Sequence, residues 1–248
     1  MLQRIVLAIF IQVFGVFGIA FAEPMQITFA TDATWPPMEF VGANHEITGF
    51  SIEYMKAAAK EAGYTPVFKA VAWDGIFAGL DTGKYDAICS SVSITEERKK
   101  VMSFSEPYFR VQQALVVPNN SSAKTLEDMK GKKVGTQIST TGTFAVKKNE
   151  AVVSKTYDEV GLAMEDLFNG RIDGVVCDDP VAVQYALTNE KYKSSMKIVA
   201  ILESETEEFY GIAVKKGDQK VLDLINKGIH AVKSKGIDAE LQKKWMKR

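Results

Sequence analysis

The chain has 248 residues, 46% apolar, 25% charged and 10% aromatic, with 30 Lys+Arg against 31 Asp+Glu and a net charge of −1. These proportions exclude a disordered, collagen-like or coiled-coil chain. The near-neutral balance, with no dense Lys/Arg cluster, also argues against a nucleic-acid partner.

Residues 1–22 open with Arg4, run apolar from Ile5 and end Ala20-Phe21-Ala22, the pattern of a secretory signal peptide cleaved after Ala22. The alternative, a membrane anchor, has an apolar run of roughly 16 residues where a spanning helix needs ~17–25. No Cys follows to carry a lipid anchor, so the mature chain is expected to be exported, to a bacterial periplasm.

Beyond the signal, short apolar alternations such as 27–29 and the pair Val116-Val117 change places with helical patterns. Helices are predicted over 50–62, stopped by Gly63, over 76–80, over 125–130 with Thr125 as N-cap, over 157–169, over 180–188, and twice near the C-terminus. Alternating strand and helix defines an α/β fold class.

A repeat suggests how the elements are grouped. The phrase L-x-x-G-[K/R]-x-D-small-apolar occurs from Leu80 to Ser91 and again from Leu167 to Asp178. Each copy reads as a helix ended by a glycine, a short turn and a buried strand, although so short a phrase can also recur by chance. The openings match too: 27–31 runs into a polar loop at Asp32, and 133–137 into one at Ser139. Two lobes of like topology are expected, each a central sheet flanked by helices. Lobe one takes residues 23–108 and 212–248, lobe two takes 114–206, and 109–113 and 207–211 are the hinge strands.

Ligands of open α/β sheets sit beyond the carboxyl ends of the strands. That places Ser91 and Asp178 at equivalent strand ends, facing a cleft with the loops after Asp32 and Gln137. From Ser91 to Arg98, polar residues lead to Thr95, a good N-cap. A helix N-terminus with the Ser93 hydroxyl and a guanidinium makes a carboxylate receptor; otherwise Arg98 pairs with Glu96 or Glu97 on a solvated face. Residues 139–143, with Thr140 and Thr141, offer donors to the same anion from lobe two, or simply cap a helix beginning at Phe144. Asp178 suits an ammonium group, or else it or Asp179 caps the helix at Pro180. Trp35 and Trp73, in loops, can clamp a side chain by stacking or pack in the core.

The catalytic inventory is thin. No G-x-S-x-G, P-loop or G-x-G-x-x-G occurs. Two distant histidines, His45 and His230, make no metal-ligand set, so no metal and no cofactor is expected. The two cysteines, Cys89 and Cys177, lie beside cleft residues of different lobes, where a bridge would lock the cleft, and are expected as buried free thiols.

Six motifs in order then carry a resemblance: 31–40 (TDATWPPMEF), 47–50 (ITGF), 93–99 (SITEERK), 104–108 (FSEPY), Gly135 through Gly142, and Asp178. Over essentially all of its mature length the chain resembles the extracytoplasmic solute-binding proteins of polar amino-acid ABC importers, solute-binding family 3. The resemblance implies a periplasmic-binding-protein fold, a monomer, a free amino acid as ligand, a membrane permease as partner, and no enzymatic activity. It implies that Arg98 and Ser93, with N–H groups at Thr141 and with Thr140 beside it, bind the ligand's α-carboxylate. Asp178 and the carbonyl of Ser91 hold the ammonium, Trp35 and Trp73 sandwich the side chain, and Asp32 and Gln137 meet its far end. The acidic Asp32 and the 137–142 loop resemble binders of lysine, arginine or ornithine most closely. One departure stands against this: Ser51 replaces the Asp that most relatives carry after Gly-Phe. A neutral ligand such as glutamine is one alternative. Another is an exported cyclohexadienyl dehydratase, which resembles these proteins over its whole length and needs a general acid.

Overall fold

A computed structural model describes residues 24–204 and 206–246; the expected signal peptide lies outside the described residues. Two five-stranded sheets organise the chain. In the first, Gln26–Thr31 is flanked in parallel by Thr65–Ala70 and Ala87–Ile88, and beyond the latter lie antiparallel Ala213–Lys215 and Met102–Phe104. In the second, Lys133–Gln137 is flanked in parallel by Val153–Tyr157 and Gly174–Asp178, and beyond the latter lie antiparallel Gln113–Pro118 and Met196–Ile201. Strand for strand, the two orders match. The unbroken apolar run from Ala114 to Val117 is buried throughout, as a strand covered on both faces requires.

The repeated phrase has the same mechanical role in each lobe. Gly83 and Gly170 take left-handed φ values of 73° and 69°, turning the chain out of a helix. Three residues on, the shared aspartates pin the neighbouring parallel strand: Asp86 Oδ2 accepts from Thr28 N at 2.7 Å, and Asp173 Oδ2 from Lys133 N at 2.8 Å. The likeness is therefore structural, not a chance recurrence.

Two strands outside the sheets, Phe109–Val111 and Glu208–Tyr210, pair antiparallel where the chain passes between the lobes. The last helices return to the first sheet's helix, Phe50–Ala62. Gln219–Ser234, capped by Asp218 on Val221 N, buries Val221, Ile225, Gly228, Ile229 and Val232, a stripe at helical spacing. In Ile237–Trp245, Lys244 and the Trp245 indole both bond Glu53.

Several expected elements differ in detail. Over 125–130 the expected Thr125 cap forms, its Oγ1 accepting from Asp128 N and Asp128 Oδ2 accepting from Thr125 N, but only a single 3₁₀ turn, Glu127–Met129, follows before Gly131 reverses the chain. The 157–169 helix begins only at Val160, because Tyr157 is still paired with Gln137 as strand. The helix expected from Phe144 begins at Thr141, and 180–188 is an α-helical turn from Asp179 that widens into a π-helix over Gln184–Thr188.

Helix–helix contact at Gly228 is backbone-close: a Cβ there would lie 2.4 Å from the Ala58 carbonyl oxygen. Gly228→Ala is expected to cost ~1–3 kcal/mol by overpacking, with Tm falling ~2–4 °C per kcal/mol for a chain this size. Calorimetry tests this, and an unchanged Tm would mean that the two helices do not meet as described.

Candidate functional site

The ten residues expected at the site line one cavity between the carboxyl ends of the two sheets, together with Glu39 and Ser90. Its first wall is built by a helix start. Thr95 Oγ1 accepts from Arg98 N at 3.2 Å, capping Glu96–Val101. Glu96 and Glu97 pair outward with Lys99 and Lys100, so the solvated-face reading of Arg98 fails and its side chain turns into the cleft. There Nη1 donates to Ser93 O at 2.9 Å and Nη2 to Ser139 O of the other lobe at 3.1 Å. The guanidinium lies 5.7 Å from the Trp73 ring centre and 5.2 Å from that of Phe77. Burial pulls its pKa down to about 10, opposed by the charges of Glu208 and Asp178.

Lobe two contributes the opposing helix start. Thr140 Oγ1 accepts from Thr143 N at 3.2 Å, making Thr141 the first residue of Thr141–Lys148. Ser139, at φ 58°, and Ser91, at φ 47°, hold left-handed conformations that disfavour residues with a Cβ, one at each lobe's cleft edge. Ser93 and Thr141 face each other across the cleft, their hydroxyl oxygens 3.5 Å apart.

Asp178 ends the buried strand and occupies the N-cap position of the next helix without capping it. Its carboxylate accepts from Gln113 Nε2 at 2.6 Å, from Trp35 Nε1 at 3.2 Å and from the Tyr210 hydroxyl. Even so, burial pushes its pKa up to about 7, with the charge of Glu208 adding to the rise. Asp179 instead accepts from Gln112 N, tying the strand end to the hinge.

At the far end, Asp32 accepts from Thr34 Oγ1 and, across the cleft, from Gln137 Nε2, both at 2.8 Å. Burial raises its pKa. Beside it lies Glu39, fully buried, with neither carboxylate oxygen hydrogen-bonded. Burial raises it well above the ordinary range, opposed by the neighbouring hydroxyls of Ser91 and Ser51, while the charges of Asp32 and Asp178 raise it further. Trp35 and Trp73 are both buried and both reach the other lobe, Trp73 Nε1 donating to Ile138 O at 2.8 Å. Core packing and a place in the site prove compatible. Cys89 and Cys177 are buried free thiols.

Glu39, Gln113, Glu208 and Tyr210 were not anticipated as site residues. A signal existed for the first: in the hairpin of Thr34–Trp35 with Glu39–Val41, Glu39 sits directly opposite Trp35 and shares its face. Gln113, Glu208 and Tyr210 fall in the expected hinge strands, where alternation puts Glu208 and Tyr210 on one side.

Two like α/β lobes joined by a paired ribbon, with a charged cleft at their strand ends, define a two-lobe binding protein. Residues 27–248 match the family described as bacterial extracellular solute-binding proteins, family 3, and the chain belongs to that family. It is 34% identical to ABC transporter arginine-binding protein 1 of Escherichia coli (strain K12) over 250 residues, covering 98% of this chain and 99% of the relative. An ancestral arginine-binding protein solved bound to arginine aligns with a TM-score of 0.83 at 40% identity, over 91% of this chain and 100% of that one. An ancestral arginine-binding protein solved bound to glutamine gives 0.82 at 42% identity, over 89% and 97%. Among the described residues no helix is long and apolar enough to cross a membrane.

The raised carboxyls make stability depend on pH with a definite sign. Asp32, Glu39, Asp178 and Asp179 all titrate higher folded than unfolded. Between those two values the folded state binds more protons, so stability grows as pH falls. Ligand-stripped protein is therefore expected to melt several degrees higher near pH 5 than near pH 8. Below about pH 4 the half-buried Glu165 and Asp166, whose partners hold them low, reverse the trend. A Tm that falls steadily from pH 8 to pH 5 would contradict the burial of these groups.

Proposed function

We propose that this chain is the extracytoplasmic binding component of an ABC importer, a periplasmic monomer freed of residues 1–22. It captures a free basic amino acid, lysine, arginine or ornithine, and delivers it to a membrane permease. One observation carries the reading: the cavity lining holds three acids, Asp32, Glu39 and Asp178, and a single base, Arg98. A neutral amino acid brings one charge of each sign and leaves that imbalance in place. A second cation at the Asp32 and Glu39 end reduces it and draws the proton off acids that burial holds at a raised pKa; at ~4 Å a pairing with an ionised carboxylate is worth ~4 kcal/mol at an effective dielectric of 20.

In this reading the α-carboxylate meets Arg98, Ser93, Thr140 and the N–H groups at Thr141. The ammonium meets Asp178 and the Ser91 carbonyl, the side chain lies between Trp35 and Trp73, and its cation reaches Asp32, Gln137 and Glu39. Ser51 then ceases to be an objection, because Glu39 supplies a buried carboxylate beside it. Residues 109–113 and 207–211 serve as hinges between lobe one (23–108 and 212–248) and lobe two (114–206), a division supported by the ribbon pairing Phe109–Val111 with Glu208–Tyr210. Closure follows because the ligand's charges pair best when both lobes reach them.

The chain is not an enzyme in this reading: prephenate, a dianion, would be repelled by the same acids. Thermal shift of ligand-stripped protein against the twenty amino acids, ornithine and prephenate tests the proposal. Stabilisation by the basic amino acids above all others is expected; strongest stabilisation by glutamine, or turnover of prephenate, overturns it. The subsites separate by mutation. Arg98→Ala is expected to weaken every amino acid by ~3–5 kcal/mol, whereas Glu39→Gln weakens the basic ones about tenfold or more and leaves neutral ones unchanged. Calorimetric titration distinguishes the two patterns.

A further inference from the structure

Glu208 enters the cleft from the hinge ribbon, opposite Val111, and not from either sheet. Its Oε1 accepts from Ser93 Oγ of lobe one at 2.5 Å and from Thr141 Oγ1 of lobe two at 2.6 Å. Gln113 Nε2 lies 3.2 Å from its Oε2. Ser93 and Thr141 are groups assigned above to the ligand's α-carboxylate, so a side-chain carboxylate of the protein is seated where that carboxylate belongs. Arg98, whose hydrogen bonds go to the carbonyls of Ser93 and Ser139, draws its charge compensation first from Glu208 and then from Asp178.

A site that reserves an arginine for a ligand's carboxylate ordinarily rejects the decarboxylated analogue, because the arginine is left buried and uncompensated. Here the compensation is built in. We propose that Glu208 is a specificity-determining residue, an internal carboxylate occupying the receptor for the ligand's carboxylate. Cations without a carboxylate, such as diamines and guanidinoalkyl amines, bind with it in place, and an amino acid must displace it. Such amines keep an ammonium for Asp178 and a distal cation for Asp32 and Glu39, so the inference rests on the basic-ligand reading. An amino acid instead brings a second carboxylate to the same two hydroxyls, and like charges at that distance do not share them.

Calorimetric titration of the mature wild-type protein with lysine and cadaverine, and with arginine and agmatine, tests this. The amine is expected to bind within about thirtyfold of its parent amino acid, where an uncompensated arginine would open a gap of a hundredfold or more. A gap wider than thirtyfold overturns the role of Glu208 while leaving the basic-ligand reading intact; binding of neither partner of either pair overturns both. Glu208→Gln gives the second arm, its folding checked by Tm. It keeps the shape and removes the charge, and is expected to bind the amine about tenfold more weakly and the amino acid at least as tightly as wild type. If amine and amino acid shift together, or neither shifts, Glu208 does not discriminate between them. Should the variant fail to fold, the wild-type comparison decides alone.

Discussion

Charge that cannot be hydrated has to be answered from across the cleft. Asp178 of one lobe takes the Trp35 indole N–H of the other, Asp32 takes the Gln137 amide, and Arg98 gives a hydrogen bond to the Ser139 carbonyl. A buried carboxylate or guanidinium left without such partners is penalised by several kcal/mol. The lobes therefore satisfy each other's polar groups only when together, and a ligand able to pair with the same groups biases that arrangement by its differential affinity for it. In the proposed reading recognition and closure become one electrostatic event, which the ribbon of Phe109–Val111 with Glu208–Tyr210 need only permit.

In the proposed reading the likeness of the two lobes bears on how the two ends of a zwitterion are distinguished. The lobes share strand order and the aspartates, Asp86 and Asp173, that lock turn to neighbouring parallel strand. At the equivalent strand ends they diverge: Ser91 stands where the other lobe has Asp178. The helix starts near them diverge too, one presenting Arg98 and the other a row of hydroxyls. A common backbone thus presents two chemistries face to face, and the polarity of the cleft follows from which lobe carries which side chains. Stability is assigned to what is repeated and selectivity to what is not.

What could be read from the sequence was what depends on local chemistry. The Phe50–Ala62 helix and its glycine stop, the Thr95 cap, the repeated αβ turn and the cleft position of Ser91 and Asp178 are all determined within a few residues. In 125–130 the expected cap forms, Thr125 Oγ1 accepting from Asp128 N and Asp128 Oδ2 from Thr125 N, but the chain holds only one 3₁₀ turn before Gly131 at φ 71° ends it. Glu39 needed the register of a hairpin, and Gln113 the register of a sheet, in which it faces Asp178. Glu208 and Tyr210 needed more, since they reach the site only because a ribbon between the lobes lays them along its edge. Strand pairing across such separations leaves no spacing rule in the sequence.

Tryptophan shows why packing and recognition need not be rival fates for one side chain. Trp35 buries its ring in a core cluster drawn from both lobes and spends its single donor on Asp178, so the indole that supports the fold also holds the carboxylate in place. An ammonium arriving at Asp178 therefore exchanges hydrogen bonds; it does not add to an idle acceptor. In the proposed reading the same holds at Asp32, where a ligand cation would meet the amide of Gln137, and at Ser93 and Thr141, where a ligand carboxylate would meet Glu208. Since each exchange nets ~1–3 kcal/mol, far less than the gross interaction, affinity in such a cleft is set by the quality of the bonds replaced as much as by those formed. Selectivity then belongs to the residue with no bond to exchange. In the proposed reading that is Glu39, buried, with neither carboxylate oxygen hydrogen-bonded and its pKa raised by burial, so a cationic ligand group gains a partner there as it draws off the proton.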